Sequence, residues 1–338
     1  MKGLQIQGVN QVSVVDLPAE PIGEGMVRVA IHAVGLCGTD FALIEGTLGL
    51  NVWPVVPGHE VIGRVMESRS SRFHVGDPVI LDPLVSCGTC NACRLGRPQW
   101  CEHVGVIGVV RDGGAREEMV LPDSQWVPWP KKLPLEDGVL SEPLHVVETI
   151  LPLIGSEQPS RILVIGTGAL GLMILHVLKH YWPDSDIRTY DVIAERLHRA
   201  LMIGGKPWNP NDNEPMNVVI DGVGTNSSLE MAALSVGNGG HIIVYGVPKP
   251  GNVVPNADLL FRKNVRMSFS RLYTHEFRYP AQWLANDVVT STDIVSDRLS
   301  LDEAAAFLRD HRWKSPSRWG KAIITLTRNP IQDEGEQL

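Results

Sequence analysis

Apolar residues follow two different rhythms along this chain. Over residues 1 to 36 they come in short runs that alternate with polar positions, as at Val27, Val29, Ile31 and Ala33, and this predicts strands with one face in a core. Pro18, Pro21, Gly23 and Gly25 mark the turn before that strand. A further turn and strand is expected over 75–81, and the β pattern resumes over 113–120. Pro128, Pro130 and Pro134 then separate it from a helix-like stretch that begins near Leu135. From Ser160 the rhythm changes. Arg161–Ile165 is a continuous apolar run of the kind a parallel strand buried on both faces requires, and a helix is expected over 172–181. Alternating units follow: helix 194–203, strand 217–221, helix 227–236, strand 240–246, strand 265–270, helix 280–286 and a capped helix 301–310. The connection 206–216 carries Pro207, Pro210 and Pro215 and predicts no helix, so one edge of the sheet is expected to be trimmed. A closing strand over 320–326 is expected to return to the first lobe, and the residues after Thr327 are polar and expected to be loosely held.

With 338 residues and 43% hydrophobic composition the chain can bury two ordinary cores without disulfides. A formal charge of −8 argues against a nucleic-acid partner. No signal peptide and no bilayer-length apolar stretch is found, so a soluble cytoplasmic protein with no membrane partner is expected. Four of the five cysteines fall within fifteen residues, which reads as metal binding rather than a secreted disulfide framework.

Those four, Cys87, Cys90, Cys93 and Cys101, have spacings that let one loop close a tetrahedron, and a structural zinc ion is expected there. An iron–sulfur cluster has overlapping spacing rules, but it would leave a second constellation without a role. This is Cys37 with His59 and Glu60. The thiol ends an alternating strand 22 residues before an imidazole and a carboxylate set between Gly58 and Gly63. A thiolate, an imidazole and a carboxylate suit a zinc ion with one open position. Glu142, beside Pro143, is on local grounds as consistent with a solvated helix start as with a functional acid.

Gly166-Thr167-Gly168-Ala169-Leu170-Gly171 follows the apolar run directly and opens the helical stretch, and Asp191 stands 20 residues after the last glycine. Strand, glycine turn, helix and acid together form a dinucleotide fingerprint, with the backbone at 166–171 approaching a pyrophosphate and Asp191 the adenosine ribose. Asp191 disfavours a 2′-phosphate, and the first basic residue after it is Arg196, so NAD is expected over NADP.

In this order and spacing, Cys37-Gly-Thr-Asp, Gly58-His-Glu-x2-Gly, the four-cysteine lobe, Glu142-Pro143 and the Gly166 fingerprint resemble the zinc-dependent medium-chain dehydrogenase/reductase superfamily, in its polyol, sugar-acid and threonine dehydrogenase branch. The resemblance implies an α/β fold: a GroES-like β-rich catalytic domain over 1–150 with a zinc lobe at 87–101, a Rossmann doubly wound parallel sheet over 151–290, and a return to the catalytic domain over 291–338. It implies two zinc ions per chain, the catalytic one held by Cys37, His59 and either Glu142 or Glu60. The expected reaction moves a hydride between a secondary alcohol and NAD, with the Thr39 hydroxyl taking the proton. Many relatives in this branch carry a histidine where this chain has Ala42, so the proton exit is expected to differ. A homo-oligomer, dimer or tetramer, is expected. The alternative is a catalytically silent dinucleotide-responsive binding protein on the same fold.

Overall fold

The computed structural model describes residues 1–50, 52–155, 158–212, 214–248 and 256–326. The expected loosely held tail after Thr327 lies outside them. Two large sheets organise the chain. The first is built on the strand Met26–Leu36, which alternates at its start and is buried on both faces towards its end. The change follows from its neighbours. Its first half pairs with Glu118–Pro122 and its last residues with Lys321–Thr325, while Glu60–Ser68 runs antiparallel along its other side. Pro78–Leu81 and Trp126–Pro128 extend that side, and Val295–Leu299 lies outside Lys321–Thr325, giving seven strands. The closing strand Lys321–Thr325 thus pairs within the first sheet. A hairpin of Lys2–Gly8 with Gln11–Asp16 packs against this sheet and the helix Leu301–Arg309.

The second sheet has six strands, all parallel, in the order Lys206–Pro207, Asp186–Tyr190, Arg161–Ile165, Met216–Asp221, Val236–Val244, Arg266–Phe269. This is the doubly wound order in which the chain reverses direction across the sheet beside the first strand, at the carboxyl ends where a dinucleotide binds. Helices Ala169–Tyr181, Ala194–Met202 and Asn226–Ser235 fall where expected, within a few residues at their ends. Ser300 caps Leu301–Arg309 by accepting from the Glu303 N–H, which makes the acid pair Asp302 and Glu303 its first turn. One edge is trimmed, but not bare: Lys206–Pro207 still pairs with Arg188 and Thr189, and Trp208 covers the edge by packing on Tyr190 at 5.8 Å. The strand expected over 240–246 begins earlier, at Val236, because Val236 pairs with Met216 across a register shift. Helix Ser141–Ile154 runs across the expected domain boundary at 150/151, and its Leu144, Val147 and Ile150 share a core with Ile162, Val164 and Leu172 as well as with Ala33, Ile62 and Ile323 of the first sheet. Among the described residues no helix is long and apolar enough to cross a membrane.

Candidate active site

Sheet register brings the predicted metal residues together. Gly35 pairs with Glu60 on one side of the central strand and Leu36 with Ala322 on the other. Cys37 leaves the tip of that strand, His59 immediately precedes the neighbouring strand, and Lys321 begins the closing strand, so all of them meet at one end of the sheet. Close approach demands the glycine at 35: a Cβ there would lie 1.9 Å from Glu60 Oε2.

Metal-ligand atoms of Cys37, His59 and Glu60 all lie within 4.8 Å of one another. His59 and Glu60 are buried and Cys37 is partly so. The turn is held by Asp40, whose carboxylate accepts from the Cys37 N–H at 2.8 Å and the Gly58 N–H at 3.1 Å. Its Oδ1 also stands 3.9 Å from His59 Nδ1, a buried nitrogen with no hydrogen-bond partner. Burial works against a charged imidazole, but Cys37, Asp40 and Glu142 around it raise His59 well above its ordinary value. A partly buried soft donor with a buried imidazole and a buried carboxylate, and acids in excess, fit a divalent zinc ion by the chemistry of the set. Thr39 Oγ1 lies 3.8 Å from Cys37 Sγ, so a hydroxyl does stand at the rim of this set.

Glu142 is not a member of that three-residue set. It lies at the start of Ser141–Ile154, nearly buried, and accepts a 2.7 Å hydrogen bond at Oε1 from the Tyr273 hydroxyl. Burial raises its carboxyl above the ordinary range and the Glu60 charge adds to this, while His59 and the phenol oppose it. Glu60 has a strong partner of its own: Lys321 Nζ donates to both carboxylate oxygens at 2.6 Å in a buried ion pair. Burial disfavours a charged lysine, but Glu60 and Cys37 hold its value up. Lys321, Tyr273 and Asp40 are the partners that sequence reasoning missed. A lysine opening the apolar strand Lys321–Thr325 was the one available signal, since a buried charge needs a partner.

The four cysteines of the lobe also converge, with all four sulfurs mutually within 4.8 Å. Backbone N–H groups of Cys90 and Cys87 donate to the sulfurs of Cys87 and Cys101 at 3.3 Å, as does that of His103 to Cys101. Such donors favour thiolate. The Thr89 hydroxyl and backbone lead the contacts that hold the Cys87 thiol down at about 5. Four sulfurs in that arrangement fit a closed zinc site.

At the second sheet Gly166 has φ +89 and Gly168 caps the helix Ala169–Tyr181. A Cβ on Gly171 would meet the Gly166 carbonyl at 2.1 Å, whereas one on Gly168 would find only Arg196 Nη1, at 3.9 Å. The first observation is strand–helix packing and the second leaves room for a ligand at the helix N-terminus, so the turn fits a pyrophosphate. Ala169 and Leu170 form the first helical turn there. Asp191 follows the neighbouring strand and accepts from the Thr167 N–H at 2.7 Å and the Ile193 N–H at 2.8 Å, which ties the glycine turn to the acid.

A β-rich sheet with a Cys/His/Glu set at one end, a four-thiol lobe and a doubly wound sheet with a glycine turn define a zinc- and dinucleotide-dependent dehydrogenase. The comparisons agree. Residues 23–131 match the alcohol dehydrogenase GroES-like domain family. An uncharacterised zinc-type alcohol dehydrogenase-like protein of Haemophilus influenzae is 29% identical over 92% of this chain and 94% of its own length. D-altritol 5-dehydrogenase of Agrobacterium fabrum is 27% identical over 91% and 95%. The crystal structure of the Escherichia coli alcohol dehydrogenase RspB with NADH superposes with a TM-score of 0.86 over 96% of this chain and 99% of that one, at 26% identity. Residues 23–131 thus form an alcohol dehydrogenase GroES-like domain, the chain along nearly its whole length is similar to zinc-type alcohol and polyol dehydrogenases, and it is an alcohol dehydrogenase-type oxidoreductase that uses zinc and a nicotinamide cofactor. The silent-binder alternative finds no support in these comparisons.

Proposed function

We propose that the enzyme oxidises a secondary alcohol group of a polyol, sugar, sugar acid or cyclitol to the ketone, with NAD as the hydride acceptor. The observation that carries this reading is the buried meeting of Cys37, His59 and Glu60 at the sheet end, beside the Thr39 hydroxyl. Cys37, His59 and Glu60 would hold zinc there, with Glu142 beside them, and the ion would supply Lewis acidity that makes an alcohol more acidic, while nicotinamide would supply the hydride acceptor. Asp40 orients the Cys37 turn and faces His59. Thr39 Oγ1 accepts the proton of the substrate hydroxyl and donates its own to water or to a neighbouring substrate hydroxyl, so the charge leaves as a proton. Lys321 balances Glu60, and Tyr273 holds Glu142. The backbone at Gly166, Gly168, Ala169, Leu170 and Gly171 receives the pyrophosphate. Asp191 receives the ribose hydroxyls, with Arg196 beside the turn.

A second zinc ion at Cys87, Cys90, Cys93 and Cys101 belongs to the same reading, on the strength of the four clustered sulfurs. Five unpaired cysteines suit the reducing cytoplasm. A homo-oligomer is favoured by the edge strand Arg266–Phe269, where Phe269 is exposed. The deciding experiment is cofactor reduction, followed by absorbance, with zinc-loaded protein and a panel of polyols, aldonates and cyclitols. We expect reduction of NAD by at least one secondary alcohol of the panel and none by primary alcohols alone. No reduction with any member, with either NAD or NADP, would overturn the proposal.

A further inference from the structure

The segment between the strand Arg266–Phe269 and the helix Pro280–Ala285 carries no motif, yet it reaches Glu142, the acid beside the metal set. Leu272 adopts φ +57, a left-handed conformation that a leucine takes only when its surroundings impose it. On either side of it Arg271 is exposed and Tyr273 is buried. Three contacts fasten the segment. The Tyr273 hydroxyl donates to Glu142 at 2.7 Å, the Thr274 carbonyl lies 2.8 Å from His145 Nε2, and His275 Nδ1 lies 2.5 Å from the buried Asp82. His145 packs its ring against Tyr273 at 4.6 Å and Phe277 at 4.3 Å, and its other nitrogen meets Glu148 at 2.7 Å. The phenol is therefore fixed by its own segment and by two turns of the helix that carries Glu142.

We propose that Tyr273 is a positioning residue that holds Glu142 beside the Cys37, His59 and Glu60 set rather than within it, leaving a metal position for the substrate oxygen. The inference rests on the zinc reading above. A carboxylate that accepts a fixed phenolic hydrogen bond has one oxygen engaged and its place determined. Without the donor, a buried anion beside His59 is left short of a partner, and a metal cation is the nearest group able to satisfy it. Glu142 would then close the site with a fourth protein ligand, the arrangement of structural zinc, which exchanges slowly.

Zinc loss to a chelator and the visible spectrum of the cobalt-substituted enzyme test this without turnover. Removing an outer partner ordinarily weakens a metal site by about 10–100-fold; Tyr273→Phe should instead release the catalytic ion more slowly, by about the same factor, because the freed Glu142 becomes a ligand, and the cobalt spectrum should change with it. Adding Glu142→Gln to that variant should abolish the slowing. Glu142→Gln alone should leave the release rate close to that of the parent, and this arm holds even if Tyr273→Phe fails to fold. Release from Tyr273→Phe at the parent rate or faster, or much faster release from Glu142→Gln alone, would overturn the inference. A cobalt spectrum of the parent that is unaffected by Cys37→Ser would instead overturn the zinc reading itself, and the inference with it.

Discussion

Replacing Lys321 by Met removes the cation that both oxygens of Glu60 face. Nζ is 2.6 Å from each oxygen, and the side chains are 5% and 1% exposed. At an effective dielectric constant of about 20, Coulomb attraction at this distance is about 6 kcal/mol. Desolvation costs several kcal/mol per ion and offsets most of that, so the pair as a whole is worth little against an apolar pair. Deleting one partner is different. The surviving carboxylate stays buried among Cys37 and Glu142, and the expected loss in the metal-free protein is about 3–5 kcal/mol. With zinc bound the loss should be smaller, since a second cation then stands beside Glu60. Lys321→Met/Glu60→Gln should recover most of the stability, because it removes the orphaned charge. Urea unfolding of the four members of the cycle, followed by circular dichroism with and without zinc, reads each term. A metal-free Lys321→Met protein within about 1 kcal/mol of the parent would refute the reasoning, for it would mean that Glu60 is not held as a buried anion.

Thr39→Val, close in shape but without the hydroxyl, should lower alcohol oxidation by about 10²–10⁴-fold at unchanged zinc content; a near-normal rate with hydride transfer shown to be limiting by a primary isotope effect would remove Thr39 from the proton path. Asp191→Gly should narrow the preference for NAD over NADP in kcat/KM, and an unchanged ratio would remove the acid from cofactor choice. Metal analysis should find two zinc ions per chain, and Cys93→Ser should lose one and destabilise the lobe, as structural zinc binding is worth on the order of 10 kcal/mol in small peptides. The Asp82 partner raises His275 above its ordinary value of 6.5. A raised imidazole stabilises the fold fully below the unfolded value and loses that contribution as pH rises through the folded one, so His275→Gln should be less stable than the parent at about pH 6 and nearly equal at about pH 9. An equal loss at both would show that the ion pair is not what His275 contributes.

Much of this protein is local and could be read along the chain. Period-two alternation marked the strand that ends at Cys37, a continuous apolar run marked Arg161–Ile165, and proline density ruled out a helix in the 206–216 connection. These are properties of a few neighbouring residues and the backbone they permit. The glycine turn with Asp191 and the four-cysteine lobe are legible for the same reason, since each group is built within one or two adjoining elements. Even so, pairing moved the ends: Val236 joins its strand because Met216 lies opposite, and Lys206–Pro207 is a strand only because Arg188 and Thr189 offer it partners. Fold class and the residues proposed to hold metal could thus be read from the sequence alone. What the tertiary structure decided is how those residues are held. Lys321 reaches Glu60 across 261 residues of chain and Tyr273 reaches Glu142 across 131. No local propensity encodes either meeting. Both depend on the register of the closing strand against Met26–Leu36 and on the turn at Leu272, which are set by burial and backbone pairing summed over the whole molecule.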